Sequence, residues 1–165
     1  MEKVALGGGC HWCTEAIFDS LEGVIKVDQG WVSAQETDAQ SFSEAVIVHF
    51  DTTQISLERL IEVHLLTHNA SSNHSMRTKY RSAIYVFSDH QRDKAIEILK
   101  SKADLFEKKI ITKVYSFHAF KHNEEKYLSY YKKNKEKPFC KKYIEPKLQK
   151  INLINIFSLP NAQNK

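Results

Sequence analysis

The alternation of hydrophobic and polar positions predicts a domain that mixes short strands with amphipathic helices. The predicted strands lie at 3–8, 24–32, 44–50, 82–87 and 110–117. Helices are predicted to begin near Cys10, after Ser56 and after Ser88. The order strand, helix, strand, strand, helix, strand is the split βαβ pattern. We therefore expect an α+β fold of the ferredoxin-like type, with a mainly antiparallel sheet and helices packed on one face.

The length of the chain predicts one domain. A chain of 165 residues, of which 42% are hydrophobic, can bury the core of one ordinary domain. We expect this domain to span 1–150 and a partly disordered tail to follow at 151–165. The apolar runs are far shorter than a membrane span, and no signal-peptide pattern precedes the first strand. These features predict a cytoplasmic, monomeric protein with no membrane partner.

Positive charge is concentrated in the last third of the chain. Residues 107–165 contain 14 Lys, no Arg and five acidic residues. Such a segment could follow the phosphates of a nucleic acid, but it has no Arg to read bases and no recognisable nucleic-acid motif. A solvated surface is the preferred interpretation, and we expect no nucleic-acid partner.

The three cysteines are too few for a disulfide framework and point to thiol chemistry. Cys10 directly follows three glycines and opens a predicted helix, where the helix dipole and free N–H groups lower the pKa of a thiol. Cys13 lies three residues further on, near enough for a disulfide. The third cysteine, Cys140, follows Pro138 near the end of the domain. The spacing of the first two predicts a redox pair.

Two other interpretations of Cys10 and Cys13 stay open. They could be small buried hydrophobic residues, although the three preceding glycines are hard to explain by packing alone. They could also bind zinc together with His11 and one of the histidines at 64, 68 and 74. Because the sequence has no second Cys-x-x-Cys and no Cys/His knuckle, we expect no metal.

Four segments of the chain occur in an order that is typical of a known family. They read GGCHWCTE at 8–15, SEAVIVHFD at 43–51, TKYRSAIY at 78–85 and PFCKKYIEPKL at 138–148. Together they resemble the motifs of the methionine sulfoxide reductase A family, and the likeness spans roughly residues 3–148. The chain is identified as a divergent member.

The resemblance implies an enzyme that reduces methionine-(S)-sulfoxide, free or in proteins, to methionine. It implies no cofactor, because thioredoxin or dithiothreitol serves as the external reductant. By position in the motifs, Cys10 is the nucleophile on the sulfoxide sulfur, Glu44 protonates the departing oxygen, and Tyr80 hydrogen-bonds that oxygen. Cys13 and Cys140 are the candidate resolving cysteines, of which proximity favours Cys13.

The predicted substrate contacts include several departures from the family pattern. Trp12 is placed to hold the S-methyl group, whereas His11 replaces a Phe of the motif and Ser75 stands where an Asp is expected. A second oxygen-binding tyrosine of the family has no counterpart, and the indole N–H of Trp31 or Trp12 is a candidate replacement. A general thiol-disulfide or peroxide-handling protein therefore stays open as an alternative, as does a zinc- or nucleic-acid-binding module.

Overall fold

The structure is a computed structural model that describes residues 1–152. In this part of the chain the strands are Glu2–Gly7 (β1), Val24–Ala34 (β2), Ser43–Phe50 (β3), Ala83–Val86 (β4) and Lys113–His122 (β5). The helices are His11–Asp19 (α1), Leu57–Thr67 (α2), Asp89–Ala103 (α3) and Tyr130–Lys133 (α4), with a 3-10 turn at Glu125–Tyr127. A further helical segment, 138–152 (α5), contains a π-helical turn at Cys140–Ile144.

The sheet is closed, with strand order β1-β3-β2-β5-β4. Strand β1 pairs antiparallel with both β3 and β4, and β3 pairs antiparallel with β2. Strand β5 then joins the two remaining edges, antiparallel to β2 and parallel to β4. The predicted α+β class and the mainly antiparallel sheet are confirmed. The prediction of a ferredoxin-like split βαβ sheet needs correction, because such a sheet is open and β5 closes this one.

The two sides of the sheet bury different side chains because successive residues of a strand point to opposite faces. On the outer side, Val4, Leu6 and Val48 pack with apolar residues of α1, α2 and α3. On the inner side, small residues such as Ala5 and Ala45 share a second cluster with larger residues of the other strands. Full burial of each Val or Leu stabilises the fold by about 1.5–3 kcal/mol relative to exposure.

The N-termini of the helices differ in a way that matters for the site. The Ser56 and Ser88 hydroxyls accept hydrogen bonds from the N–H groups of Arg59 and Gln91, both at 3.1 Å, and so cap α2 and α3 as predicted. Helix α1 begins after Cys10, whose side chain makes no capping hydrogen bond. The first N–H groups of α1 therefore remain available to charged neighbours.

The C-terminal end of the described chain is packed on the domain. Residues 151 and 152 continue α5, and the Ile151 side chain is buried in the outer core. Residues 151 and 152 of the predicted 151–165 tail therefore belong to α5, and residues 153–165 lie outside the part that the structure describes. Within residues 1–152, no helix has the length and apolar character needed to cross a membrane.

We expect Gly30→Ala to destabilise the protein by about 1–3 kcal/mol or more, because the backbones of β2 and β5 leave no room for a methyl group. A Cβ atom at Gly30 would lie 2.0 Å from the Lys121 carbonyl oxygen and 2.9 Å from the Phe120 ring. Urea denaturation measures the change in the free energy of unfolding. In the control Gly9→Ala, the added Cβ would meet no atom within 4 Å, so we expect a change below about 0.5 kcal/mol. Equal losses in the two variants would contradict the packing argument.

Candidate active site

The site is built around Cys10, the N-cap residue of α1. Its carbonyl oxygen accepts hydrogen bonds from the N–H groups of Cys13 and Thr14, both at 3.1 Å, so the helix starts directly at the cysteine. The side chain is half-buried, which leaves part of it open to solvent. This position combines substrate access with the positive end of a helix dipole.

The Cys10 thiol has a lowered pKa. A hydrogen bond from the Cys13 side chain is the largest cause, and the backbone N–H groups of Trp12 and Cys13 add to it, whereas burial and the Glu44 charge oppose the shift. The same hydrogen bond, together with burial, raises the pKa of Cys13. Cys10 is therefore the more acidic thiol of the pair, and Cys13 the less acidic one.

Glu44 lies at the start of β3 with only 6% of its surface exposed. Its Oε1 accepts a hydrogen bond from the His11 backbone N–H at 3.2 Å, and the Lys79 Nζ lies 3.7 Å from Oε2. Because the His11 N–H belongs to the first turn of α1, this bond ties the carboxyl to the same helix start that carries Cys10. The predicted nucleophile and the predicted acid are thus neighbours.

The His11 imidazole lies between the helix start and the sheet, with 4% of the residue exposed. Its Nδ1 is 2.7 Å from the Gly30 carbonyl oxygen, and its Nε2 is 3.4 Å from Oε1 of Glu44. The Trp31 ring meets the imidazole edge-on at 5.0 Å between centroids. Burial lowers the pKa of His11, and the Gly30 carbonyl and the Glu44 charge oppose this only in part.

Tyr80 reaches the site on the loop that precedes β4. One side chain, Arg77, holds this loop against the glycine turn by donating to four carbonyl oxygens, among them those of Gly8 and Tyr80, both at 2.9 Å. Next to Tyr80, the Lys79 carbonyl oxygen accepts the Glu44 backbone N–H at 2.9 Å. The Lys79 ammonium lies 5.1 Å from the centre of the Tyr80 ring, so this lysine contacts both the predicted acid and the predicted oxygen-binding residue.

Trp12 packs in one cluster with all three cysteines. Its indole stacks on Tyr130 and Tyr127, with centroid distances of 4.0 and 5.6 Å, and meets Phe139 edge-on. The indole Nε1 is buried, and no hydrogen-bond partner for it occurs in the described chain. Much of the Trp12 ring is therefore covered by the C-terminal segment.

Cys140 has no exposed surface and lies in the same cluster, on the π-helical turn of α5. Burial, together with the charge of Glu145, raises the pKa of its thiol. In the sequence, Cys140 lies near the end of the predicted domain, far from the other two cysteines. The structure packs it beside Cys13 instead.

The carboxylate of Glu15 anchors the C-terminal segment to α1. It accepts hydrogen bonds from the backbone N–H groups of Ser129 and Tyr130 at 3.0 and 3.3 Å, and from the Gln29 side chain at 3.0 Å. The Gln29 oxygen in turn accepts from the Asn123 amide at 2.6 Å, and that amide nitrogen lies 3.4 Å from His11 Nε2. A buried polar chain thus runs from the aromatic cluster to His11.

The hydrogen bonds that connect Glu15 to His11 were not predicted from the sequence. The anchoring role of Arg77 was not predicted either. Glu15 offered one signal, since an acidic residue lay among the apolar positions of a predicted helix. Gln29, Asn123 and Arg77 lie in a strand, at a strand end and in a loop, where no periodic pattern distinguishes a buried polar residue.

The structure does not bring every predicted residue into the site. Ser75 is exposed on the loop before Tyr80, and no hydrogen bond joins it to the other predicted residues in the described chain. Its expected role in place of an Asp remains a prediction.

The zinc alternative finds no support among residues 1–152, which contain no group of three potential metal ligands. His64 Nε2 is 2.6 Å from the Gly7 carbonyl oxygen, and burial lowers the pKa of this histidine to about 4. His68 Nε2 is 2.8 Å from the Ser82 hydroxyl. Both histidines therefore already have hydrogen-bonding partners, and His64 contacts the glycine turn directly.

A half-buried thiol of lowered pKa beside a buried carboxyl defines the site of a thiol-dependent oxidoreductase. The family model for peptide methionine sulfoxide reductase matches residues 2–156, and the chain belongs to this family.

Individual relatives agree with the family model. The chain is 33% identical to a peptide methionine sulfoxide reductase MsrA of Trichodesmium erythraeum, over 92% of this chain and 94% of the relative. Its fold is similar to that of reduced Mxr1 from Saccharomyces cerevisiae, with a TM-score of 0.72, 23% identity and coverage of 82% and 87% of the two chains. It is also similar to Mxr1 in complex with Trx2, with a TM-score of 0.62, 20% identity and coverage of 78% and 84%.

Proposed function

We propose that the protein reduces methionine-(S)-sulfoxide, free or within proteins, to methionine through a sulfenic acid on Cys10. The observation that carries this proposal is that two reactive groups lie at one helix start. The thiol of lowered pKa and the buried Glu44 carboxyl are both held by the first turn of α1. Membership of the peptide methionine sulfoxide reductase family supports the substrate class.

The proposed first step needs a nucleophile and an acid because a sulfoxide oxygen leaves only after it is protonated. The Cys10 thiolate attacks the sulfoxide sulfur and forms an S–S bond, while the sulfoxide oxygen takes a proton from Glu44. The hydroxyl then moves to the Cys10 sulfur as the new S–S bond breaks, which gives the sulfenic acid and methionine. Cys10 sulfur loses the two electrons that the sulfoxide sulfur gains. The proton released when the Cys10 thiol ionises replaces the one that Glu44 donates.

The second half of the proposed cycle regenerates the thiol. The Cys13 thiol, hydrogen-bonded to Cys10, attacks the sulfenic sulfur, and water leaves as the disulfide forms. Two thiols of thioredoxin then reduce this disulfide, and no cofactor takes part. The relative solved in complex with Trx2 supports this choice of reductant.

The cytoplasm, where thioredoxin is kept reduced, is the proposed compartment, and a monomer is the proposed oligomeric state.

The proposed substrate contacts surround the sulfoxide. Tyr80 is proposed to hydrogen-bond the oxygen, a role supported by its place beside Lys79 and close to Glu44. Trp12 packs in one cluster with Cys10 and is proposed to contact the S-methyl group. The indole N–H of Trp31, whose ring meets His11 edge-on, is proposed as a second hydrogen-bond donor to the oxygen in place of the missing tyrosine.

We expect the purified protein, driven by dithiothreitol, to reduce the S epimer of a methionine sulfoxide substrate and to leave the R epimer unchanged. Cys10→Ser should abolish this activity, because a hydroxyl is a far weaker nucleophile at neutral pH and forms no sulfenic acid. Chromatography of the two separated epimers after reaction measures the outcome. Retention of activity in Cys10→Ser would remove Cys10 as nucleophile. Reduction of both epimers, or of general disulfides alone, would favour the alternative of an unselective thiol oxidoreductase.

Glu44→Gln should slow formation of the sulfenic acid by roughly 10²–10⁴-fold, the range typical of lost general acid catalysis. Tyr80→Phe should have a smaller effect, because it removes one hydrogen bond and no proton donor. Release of methionine in a single turnover without reductant reports this step directly. The matched control is Glu22→Gln, an exposed carboxyl at the end of α1, which should leave the rate unchanged. A Glu44→Gln rate within threefold of wild type would exclude Glu44 as the acid.

Cys13 is expected to be the primary resolving cysteine, and Cys140 an auxiliary. After one turnover without reductant, peptide mapping should find a Cys10–Cys13 disulfide in the Cys140→Ser variant. Thioredoxin-driven turnover should fall more for Cys13→Ser than for Cys140→Ser, because Cys13 already contacts the Cys10 sulfur whereas Cys140 must change its packing. Detection of only a Cys10–Cys140 disulfide in the wild type, with Cys13→Ser fully active, would make Cys13 a structural residue.

A further inference from the structure

The contact between His11 and Glu44 joins two ionisable side chains that are both almost fully buried. We propose that these two residues hold one shared proton, and that this pair, rather than Glu44 alone, supplies the proton to the sulfoxide oxygen. The proposal rests on the proposed function, in which Glu44 is the acid. It adds His11 as the residue that keeps this acid protonated.

The orientation of the imidazole carries the argument. Its Nδ1 faces the Gly30 carbonyl oxygen at 2.7 Å, and because a carbonyl oxygen can only accept, Nδ1 carries a hydrogen in every protonation state. In the neutral ring Nε2 is then an acceptor. This nitrogen lies 3.4 Å from Oε1 of Glu44, so a neutral imidazole beside an ionised carboxylate would set two acceptors against each other. One proton on either partner turns this repulsion into attraction.

Other groups around the pair act in both directions. The Lys79 ammonium, 3.7 Å from Oε2, and the His11 backbone N–H, 3.2 Å from Oε1, favour the carboxylate. The Lys79 side chain is 55% exposed, so solvent screens much of its effect. The Asn123 amide, 3.4 Å from Nε2, favours the neutral ring.

Two further charges complete the surroundings. The Glu15 carboxylate favours a protonated imidazole, whereas the Cys10 thiolate lies at the same helix start and interacts with the Glu44 charge. Burial of both partners opposes a lone charge on either one, and a pair with a single proton carries no net charge. Burial lowers the pKa of His11 and so disfavours a lone charge on the imidazole, and the form of the pair with its proton on Glu44 is the one that can protonate a sulfoxide.

The pair extends the pH range of the reaction. A coupled pair releases its last proton at a pH that belongs to both groups, so the acid stays loaded at a higher pH than a lone carboxyl would allow. When the sulfoxide oxygen takes the proton, the pair is left as a neutral imidazole and a carboxylate. Before the next turnover, ionisation of the regenerated Cys10 thiol releases one proton, which reloads the pair.

The test is the pH dependence of single-turnover methionine release in the wild type and in His11→Gln. A glutamine amide can make hydrogen bonds to Gly30 and Glu44 but cannot bind a proton near neutral pH. We expect His11→Gln to retain the wild-type rate at low pH. The alkaline limb of its pH profile should move to lower pH by about one pH unit or more. His49→Phe is the matched control, because His49 lies elsewhere on β3 and pairs with Asp28 of β2. The alkaline limb of the pH profile of this variant should not move. An unchanged alkaline limb in His11→Gln would overturn the proposal.

A second measurement does not depend on activity. Nitrogen-15 NMR of the imidazoles in wild type and Glu44→Gln follows the titration of His11 directly. Loss of the carboxylate should lower the apparent pKa of His11, because the ring loses the partner with which it shares the proton. Identical titration of His11 in the two proteins would refute proton sharing. An inactive wild type in the epimer assay, with the NMR shift present, would instead refute only the proposed function.

Discussion

The position of β1 between two antiparallel neighbours is the constraint on which the candidate site depends. Strand β1 ends at Gly7, just before Cys10, and its register places Leu6 opposite Val46 on β3 and Gly7 opposite Ala83 on β4. Because both neighbours run in the opposite direction, each begins where β1 ends. Glu44 at the start of β3 and Tyr80 just before β4 are thereby delivered to the same end of the sheet as Cys10. A shift of two residues in either register would move one of these side chains along its strand by about 7 Å.

The sequence allowed several of these features to be predicted from local physics. The serine caps of α2 and α3, and the helix start at Cys10, follow from short-range rules and agree with the structure. Glu44 and Tyr80 could be chosen only through the family resemblance, because a carboxylate at a strand start and a tyrosine in a loop carry no signal of their own. Closure of the sheet was missed since β5 extends to His122, whereas the prediction ended this strand at Phe117. Its later residues mix aromatic, Lys and His side chains, and the pairing with β2 that orders them is a long-range interaction.

The contrast between the three thiols also depends on packing that no local pattern reports. Cys10 is half-buried and has a lowered pKa, whereas Cys13 and Cys140 are buried and have raised pKa values. An oxidant in solution therefore meets one accessible thiol of lowered pKa and two buried thiols of raised pKa. Glu15 maintains this contrast, because its hydrogen bonds to Ser129 and Tyr130 hold the segment that covers Trp12 and Cys13. Resolution through Cys140 would require part of this cover to open, while resolution through Cys13 uses a contact that already exists.

The closed sheet has a consequence for how the protein interacts with oxidised, partly unfolded proteins. Each of the five strands described here has a partner on both sides, so none offers a row of unpaired N–H and C=O groups. Free strand edges are the usual templates for intermolecular β-pairing and aggregation. The proposed substrates include oxidised proteins. Oxidation of buried methionines disrupts the cores of such proteins and exposes apolar, extended segments. The five described strands, with no unpaired edge, give such exposed segments no strand to pair with.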